Sequence, residues 1–289
     1  MIRKIHGYYN GGAMRSKRGF VVCWISILIV ILVIIIFGII SIKDESNKKI
    51  QRLLDASPDF KGREFRNKKG QVLYYRLLEP LQSNLKRKYP FVIFLSGTSE
   101  RGSNNINQLK YGGPFFEKPD NRRLYRCFVM IPQCPASQNW VPRESYSQMV
   151  PLAPEPTVPL RLTMELLFRL KQDPLIDSKR IYLMGLSSGA SGVWDLIARY
   201  PQMFAAAVPF AGCGDGTKVI RFKHLPIWIF HGALDLAVNP NCSKLMDKAL
   251  IDAGAKPRYT VYKMTGHSCW VKAFKDPELM RWLFSQSRL

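Results

Sequence analysis

The sequence predicts an α/β fold with a mostly parallel central sheet and helices on both of its faces. Short, continuous apolar runs recur between residues 90 and 264, and helical stretches follow several of them. Apolar strands that alternate with helices are typical of a parallel sheet that is buried on both sides. The chain has 289 residues, of which 47% are hydrophobic, so it is large enough to bury such a core.

The first element is a predicted transmembrane helix over residues 19–42, which contain no charged side chain. As a helix they would be about 36 Å long, enough to span a hydrocarbon core of about 30 Å. The run is too long and too rich in β-branched residues for a cleaved signal peptide. Residues 1–18 carry basic and no acidic side chains. The positive-inside rule therefore predicts a cytoplasmic tail, a signal anchor and an exported remainder, periplasmic or extracellular.

After the anchor, residues 43–62 are predicted to form a polar, helical stalk and residues 63–289 a globular domain. That domain opens with a hairpin whose turn signal is residues 67–70, and the hairpin should lie antiparallel at one edge of the sheet. Further strands are predicted at 90–95, 126–131, 180–184, 205–210, 226–230 and 258–264. Helices are predicted at 160–172, 190–200, 242–253 and 277–285. The proline-rich residues 135–159 are expected to form a long loop, which either overhangs a site or is an ordinary surface excursion.

The charge balance limits the classes of partner. The chain carries a net charge of +22, of which about +17 belongs to residues 43–289. Such a surface favours anionic surroundings, namely phospholipid head groups, acidic glycans or nucleic acid. No RNA-binding signature or basic heptad accompanies the charge, so a nucleic-acid partner is disfavoured. The cysteine spacing matches no metal site, and it allows one disulfide without assigning it.

Three reactive side chains follow directly after predicted strands. Ser187 lies in the G-x-S-x-G pattern of residues 185–189, and Asp235 and His267 follow the last two strands. Ligands bind beyond the carboxyl ends of parallel strands, so these side chains should meet there. A serine hydroxyl needs a base to remove its proton, and the base needs a carboxylate to orient it. The order Ser–Asp–His is that of α/β-hydrolases, and His231 is interpreted as a local packing or hydrogen-bonding residue.

Four segments carry a resemblance to a known group: "FVIFLSGTSERG", "YLMGLSSGASG", "LPIWIFHGALDLAVN" and "YKMTGHSCW". They resemble the α/β-hydrolases of the prolyl-oligopeptidase-like or predicted-peptidase group, close to polyhydroxybutyrate-depolymerase-like, feruloyl and acetyl-xylan esterases. The resemblance runs from about Arg63 to the C-terminus. It implies the α/β-hydrolase fold and a secreted or envelope serine hydrolase that needs no cofactor and favours esters. It implies Ser187 as nucleophile, Asp235 as acid and His267 as base.

The same resemblance implies an oxyanion hole made by the backbone N–H groups of Thr98 and Ser188. The chain departs from the group at Ser96, where a histidine is usual, and at Ser188 and Ala190, where methionine and glycine are usual. Glu100 and Arg101 match the group and are interpreted as a local ion pair that shapes their loop. Trp140 is predicted either to line the substrate pocket or to pack in the core.

These observations predict a membrane-anchored serine hydrolase that cleaves small-molecule, glycan or polymer esters through an acyl-enzyme. A serine peptidase of the same fold is the nearest alternative, disfavoured because a stalk of about twenty residues leaves no room for a domain that controls access. A second alternative is a catalytically impaired hydrolase fold that serves as a binding protein, motivated by Ser96 and Ala190. A third is a basic domain whose main role is to bind membranes or nucleic acid.

Overall fold

The computed structural model describes residues 13–142 and 151–288, with side chains from residue 31 onward except residue 33. Within these residues one sheet has eight strands: β1 Lys61–Arg66, β2 Val72–Leu78, β3 Tyr89–Leu95, β4 Phe128–Pro132, β5 Ile176–Leu186, β6 Ala206–Phe210, β7 Trp228–Gly232 and β8 Arg258–Tyr262. The helices are α1 Ala13–Asp55, α2 Leu109–Glu117, α3 Pro119–Leu124, α4 Val158–Leu170, α5 Ser188–Arg199, α6 Asn241–Asp252, α7 Trp270–Ala273 and α8 Pro277–Ser285.

The strand order is β1-β2-β4-β3-β5-β6-β7-β8, and the sheet is mostly parallel as predicted. Only the β1–β2 and β2–β4 pairs are antiparallel, which places the hairpin at one edge. Its turn forms where the sequence indicated. The Asn67 side-chain oxygen accepts hydrogen bonds from the N–H groups of Lys69 and Gln71, both at 3.0 Å, and Gly70 adopts a φ of 75° that favours glycine.

Helices cover both faces of the sheet, as the apolar strands predicted. Alternate residues of a strand point to opposite faces, so Phe91, Ile93 and Leu95 of β3 pack on one side and Val92 and Phe94 on the other. Helices α4, α5 and α6 contribute to the first layer, and α2, α7 and α8 to the second. The core is therefore two apolar layers separated by the sheet.

Helices α2, α3 and α7 have no counterpart in the sequence prediction. Helix α2 contains Gly112, Gly113 and Pro114, which are poor helix formers. Close packing explains the two glycines: a Cβ on Gly112 would lie 2.7 Å from the Phe94 ring, and one on Gly113 would lie 2.2 Å from Ser57 Oγ. Helix α7 has four residues, too few to show a periodic pattern.

Helix α1 runs through the predicted anchor and the first part of the predicted stalk. The chain divides into two compact units between Gln51 and Arg52. Among the described residues, no helix is both long and apolar enough to cross a membrane. Most of the predicted cytoplasmic tail, and the side chains of residues 19–30 and 33 in the predicted anchor, lie outside the described residues.

One disulfide, which the sequence left unassigned, joins Cys213 to Cys242 with a Cα–Cα distance of 4.9 Å. It ties the loop after β6 to the first turn of α6. The thiols of Cys127, Cys134 and Cys269 are buried, and burial raises the pKa of each to about 12. These three cysteines therefore behave as small core side chains.

Opening this disulfide is expected to lower the free energy of unfolding by about 3–4 kcal/mol, because the bond closes a loop of 29 residues and restricts the unfolded chain. Urea unfolding of the full chain with and without dithiothreitol measures the change. The control is the double variant Cys213→Ala/Cys242→Ala, which should already have the lower stability and should not respond to dithiothreitol. An equal response of both proteins would contradict the assignment.

Candidate active site

Ser187 lies in a sharp turn between the end of β5 and the start of α5. Its backbone has a φ of 55° and a ψ of −124°, a strained conformation for a residue with a side chain. The flanking glycines make the turn sterically feasible. A Cβ on Gly185 would lie 2.5 Å from Gly189 O, and a Cβ on Gly189 would lie 2.2 Å from Leu95 O. The G-x-S-x-G pattern is therefore a packing requirement of this turn.

The structure brings the three sequence-predicted side chains together in one hydrogen-bonded row. His267 Nε2 lies 2.9 Å from Ser187 Oγ, and His267 Nδ1 lies 2.7 Å from Asp235 Oδ2. A carboxylate only accepts hydrogen bonds, so Nδ1 carries the proton and Nε2 accepts from the Ser187 hydroxyl. The Asp235 side chain is fully buried, whereas that of His267 is 27% exposed. The arrangement can remove a proton from Ser187 and stabilise the imidazolium that results.

His267 is not the only group that donates a hydrogen bond to the Asp235 carboxylate. Its Oδ1 accepts hydrogen bonds from the N–H groups of Ala237 and Val238, both at 2.9 Å. Burial by itself would raise the pKa of Asp235, but hydrogen bonds from His231, His267 and the Val238 N–H outweigh it and hold the pKa well below its usual range. A depressed folded pKa adds stability above the unfolded-state pKa, and this contribution disappears as the pH falls through the folded value. Because its pKa lies well below the usual range, Asp235 is ionised at neutral pH.

His231 contacts the same carboxylate from its buried side. Its Nε2 lies 3.2 Å from Asp235 Oδ2 and 3.1 Å from Val238 O, while its Nδ1 lies 2.7 Å from Ser243 Oγ. Because two oxygens face Nε2, that nitrogen carries the proton and Nδ1 accepts from Ser243. The sequence interpretation of His231 as a local hydrogen-bonding residue missed its contact with Asp235. The four-residue spacing from His231 to Asp235 is the only sequence signal of it.

Of the two predicted oxyanion donors, Ser188 directly follows Ser187 in the chain, and Thr98 lines the same cleft as Ser187. Ser188 is the first residue of α5, and Thr98 opens a short 3₁₀ turn after β3. First-turn N–H groups lack intrahelical acceptors, and among the described residues neither of these two N–H groups donates within the chain. Gly97 lies beside the nucleophile, since a Cβ on it would be 3.4 Å from Ser187 Cβ. Both N–H groups remain free for a ligand oxygen.

Glu100 holds the Thr98 loop in place. Its buried carboxylate accepts hydrogen bonds from the Gly97 N–H at 2.9 Å and from Ser99 Oγ at 2.5 Å. The ion pair expected between Glu100 and Arg101 is not formed among the described residues; the Glu100 carboxylate pairs with Lys110 instead, at 3.4 Å. Arg101, which is adjacent in sequence, donates elsewhere, to Gln138 O and the Asn139 side chain.

The positions that depart from the resembled group are accommodated without distortion of the row. Ala190 is fully buried, and its methyl group occupies space left by Gly212, where a Cβ would lie 2.5 Å from it. The hydroxyls of Ser96 and Ser188 are buried and have no hydrogen-bond partner among the described residues. Neither hydroxyl hydrogen-bonds to His267 or Asp235, and the hydrogen bonds of the row are formed with both departures present.

Trp140 lies in the core of the structure and is not among the residues that line the cleft at Ser187. Its side chain is fully buried, and its indole N–H donates to Ser96 O at 2.8 Å. It therefore supports the strand end that leads into the Thr98 loop. None of the described residues of the 135–159 loop lines the cleft at Ser187, so the part of that loop that the structure describes does not overhang it.

An open cleft of about 400 Å³ lies over Ser187 and His267. Its apolar wall is formed by Tyr111 and Trp270, whose rings meet edge to face at 5.5 Å, and Trp270 also contacts the His267 ring at 5.1 Å. Sequence reasoning missed Tyr111, because it lies in the unpredicted helix α2, and Trp270, although it follows His267 closely. Among the described residues no group of three or more His, Cys, Asp or Glu side chains is placed to hold a metal ion.

Comparison with known proteins finds a family model that matches part of the chain and solved structures that share its fold. Residues 146–277, which include Ser187, Asp235 and His267, match the model of the dienelactone hydrolase family. A crystal structure of a thermostable esterase is 36% identical, with a TM-score of 0.75, over 81% of this chain and 64% of that one. No curated protein matches the chain significantly.

Two peptidases share the fold at 14% identity and a TM-score of 0.58. They are a putative dipeptidyl aminopeptidase IV from Bacteroides ovatus, matched over 78% of this chain and 36% of that one, and the Pyrococcus horikoshii acylaminoacyl peptidase, over 80% and 42%. The chain thus spans 64% of the esterase and less than half of either peptidase. The α/β-hydrolase fold expected from the sequence is confirmed.

Proposed function

We propose that the chain is a serine hydrolase that cleaves carboxylic esters, because residues 146–277 match the model of the dienelactone hydrolase family and the chain has the α/β-hydrolase fold. The observation that carries the proposal is the row from Ser187 through His267 to Asp235, which opens into a cleft. A buried carboxylate, a half-buried imidazole and a hydroxyl on a strained turn are the parts that nucleophilic acyl transfer requires.

In the proposed reaction, Ser187 Oγ attacks the ester carbonyl while His267 Nε2 accepts its proton. Asp235 stabilises the imidazolium, and the N–H groups of Thr98 and Ser188 stabilise the oxyanion of the tetrahedral intermediate. His267 then gives the proton to the leaving alcohol, which leaves an acyl group on Ser187. Water, activated by the same imidazole, attacks this ester and returns Ser187 to its free form.

Ester cleavage is favoured over peptide cleavage by the comparisons. The thermostable esterase is 36% identical to this chain, whereas the peptidases are 14% identical and share only the fold. The substrates are proposed to be small-molecule, glycan or polymer esters. The apolar wall of Tyr111 and Trp270 supplies a surface for the acyl or alcohol part.

The test is turnover and covalent labelling of the full chain. We expect hydrolysis of p-nitrophenyl acetate, butyrate or octanoate, or of an acetylated or feruloylated sugar, and slower cleavage of peptide p-nitroanilides. A fluorophosphonate should label one residue, Ser187, as located by peptide mass spectrometry. A folded protein that neither turns over any ester nor takes the label would be a hydrolase-fold binding protein instead.

Replacing His231 with alanine is expected to lower kcat about tenfold and to leave KM unchanged, because His231 positions Asp235 and does not reach the cleft. The variant should also lose about 1–3 kcal/mol of stability, since buried partners of His231 lose their hydrogen bonds. Steady-state kinetics and urea unfolding measure the two effects.

The matched control is Ser243→Ala, which removes the partner of His231 Nδ1 but keeps the Nε2–H that faces Asp235. Its kcat should fall less than that of His231→Ala. An unchanged kcat in a destabilised His231→Ala protein would mean that the histidine is structural only.

We also propose that residues 19–42 anchor the protein in a membrane, with the hydrolase domain outside the cytoplasm. The support is the uncharged run and the exposure of its described side chains, from 45% at Ile36 to 72% at Ile42. The Cys213–Cys242 disulfide is in keeping with an oxidising compartment. The protein should resist alkaline carbonate extraction, and protease added to spheroplasts should digest its hydrolase domain; release by carbonate would contradict the anchor.

A further inference from the structure

A second cleft, of about 810 Å³, lies at the end of the sheet opposite Ser187. Tyr89 and Pro90, at the start of β3, and Arg126, just before β4, line it. Strands β3, β4 and β5 run parallel, and Ser187 follows the carboxyl end of β5, so this basal cleft opens at the amino ends. Arg180 in the basal cleft precedes Ser187 by seven residues of extended chain, about 23 Å. The two sites are therefore separate.

The walls of the basal cleft are strongly cationic. Six lining side chains carry positive charge and none is acidic: Arg87, Lys88, Arg123, Arg126, Arg180 and Arg281. Three of these are paired by carboxylates just outside the cleft, through Arg123–Asp120, Arg180–Asp177 and Arg281–Glu278. In the part of the chain that the structure describes, Arg87, Lys88 and Arg126 have no carboxylate within ion-pair distance. About three positive charges are left uncompensated around one opening.

The same cleft also has an apolar wall. The rings of Tyr125 and Phe284 pack at 5.0 Å, and Leu124 beside them is 65% exposed. Guanidinium groups present paired donors that match the oxygens of a phosphate, and phosphate carries up to two negative charges in a compact group. A carboxylate would neutralise only one of the three charges. The opening therefore suits a phosphate ester whose organic part lies against Leu124 and the two rings.

We propose that the basal cleft is a binding site for a phosphate monoester that carries an apolar or aromatic group. The chemistry is shared by soluble aryl or alkyl phosphates and by the headgroup of phosphatidic acid. The site is independent of ester hydrolysis at Ser187, so the proposal does not rest on the proposed function.

The experiment measures binding of phosphate probes to the full chain by isothermal titration calorimetry at constant ionic strength. Phenyl phosphate, inorganic phosphate and monomeric dihexanoyl phosphatidic acid are compared with phenylacetate. We expect phenyl phosphate or the short-chain lipid to bind more tightly than inorganic phosphate and phenylacetate. The tighter of the two organic phosphates identifies a soluble or a lipid source.

The variant Lys88→Gln/Arg126→Gln should weaken the tighter probe at least tenfold. The matched control, Lys68→Gln/Lys69→Gln, removes the same charge at the exposed β1–β2 turn and should change affinity less than twofold. Ester turnover and melting temperature should stay at the wild-type values in both variants. Equal weakening in both variants, or probe binding no tighter than that of phenylacetate, would overturn the proposal, since either result would show a diffuse response to net charge.

Discussion

Replacing Ser187 with alanine is expected to lower kcat for ester hydrolysis by about 10⁴-fold or more and to abolish fluorophosphonate labelling. Ser187 is the only group whose oxygen lies within hydrogen-bond distance of His267 Nε2 among the described residues. Without the nucleophile the acyl-enzyme does not form, and what remains is the smaller rate enhancement from the oxyanion donors and from binding. Initial rates on the best p-nitrophenyl ester, with stringent removal of contaminating esterases, measure the change.

The neighbouring variant Ser188→Ala is the matched control for this prediction. It removes a hydroxyl that is buried and unpartnered but keeps the backbone N–H assigned to the oxyanion. We expect its kcat to stay within a few-fold of the wild-type value, and its labelling to be retained. If Ser187→Ala keeps most of the activity while Ser188→Ala loses it, the nucleophile has been assigned to the wrong residue.

The arrangement of the candidate site could be predicted because it depends on strand ends. Once three apolar runs were taken as parallel strands, the side chains that follow them had to meet at one edge of the sheet. Ser187, Asp235 and His267 are such side chains, and they do lie together. This prediction needed only the positions of the strands along the chain and the turn glycines, and both can be identified in the sequence.

The surroundings of the site could not be predicted in the same way, because contacts across the sheet leave no periodic signal. His231 reaches Asp235 from the buried side, and in the sequence only its four-residue spacing from Asp235 distinguishes it from a packed core histidine. Tyr111 lines the cleft from α2. That helix was not predicted because it contains two glycines and a proline, which are poor helix formers. In the sequence Trp140 is equally suited to a pocket and to a core, and no pattern indicates that its indole N–H donates to Ser96 O.

The departures at Ser96 and Ala190, which motivated the alternative of an impaired hydrolase, have a local explanation. The Ala190 methyl group faces Gly212, so that one added carbon on α5 is matched by a missing one in the loop after β6. At Ser96 the backbone makes the hydrogen bond that is seen: its carbonyl oxygen accepts from the Trp140 indole N–H, while its side chain makes no hydrogen bond among the described residues. Ser96 therefore bears on the spacing between the nucleophile turn and the Thr98 loop, whereas Ala190 packs against the loop after β6.

That spacing is what Gly189→Ala is expected to destroy. Gly189 lies in the first turn of α5, where alanine is intrinsically favoured over glycine by about 0.5–1 kcal/mol. The new Cβ would nevertheless lie 2.2 Å from Leu95 O and 2.6 Å from Ser96 O. Both atoms belong to the backbone, so the clash cannot be relieved by a side-chain rotation, and α5 must move away from β3. We expect the free energy of unfolding to fall by about 3 kcal/mol and Tm to fall by about 6–12 °C.

The same displacement should act on the rate. Moving α5 away from β3 separates Ser187 and the Ser188 N–H from Thr98, which follows Ser96 by two residues, and a misplacement of about 1 Å can cost about 10²-fold in kcat. The matched control is Gly266→Ala, whose Cβ would meet only Leu234 O, at 3.6 Å, and which should keep Tm within about 2 °C of the wild-type value. A Gly189→Ala protein with wild-type stability and rate would show that the turn adapts to a side chain, and the steric account of the G-x-S-x-G pattern would then be wrong.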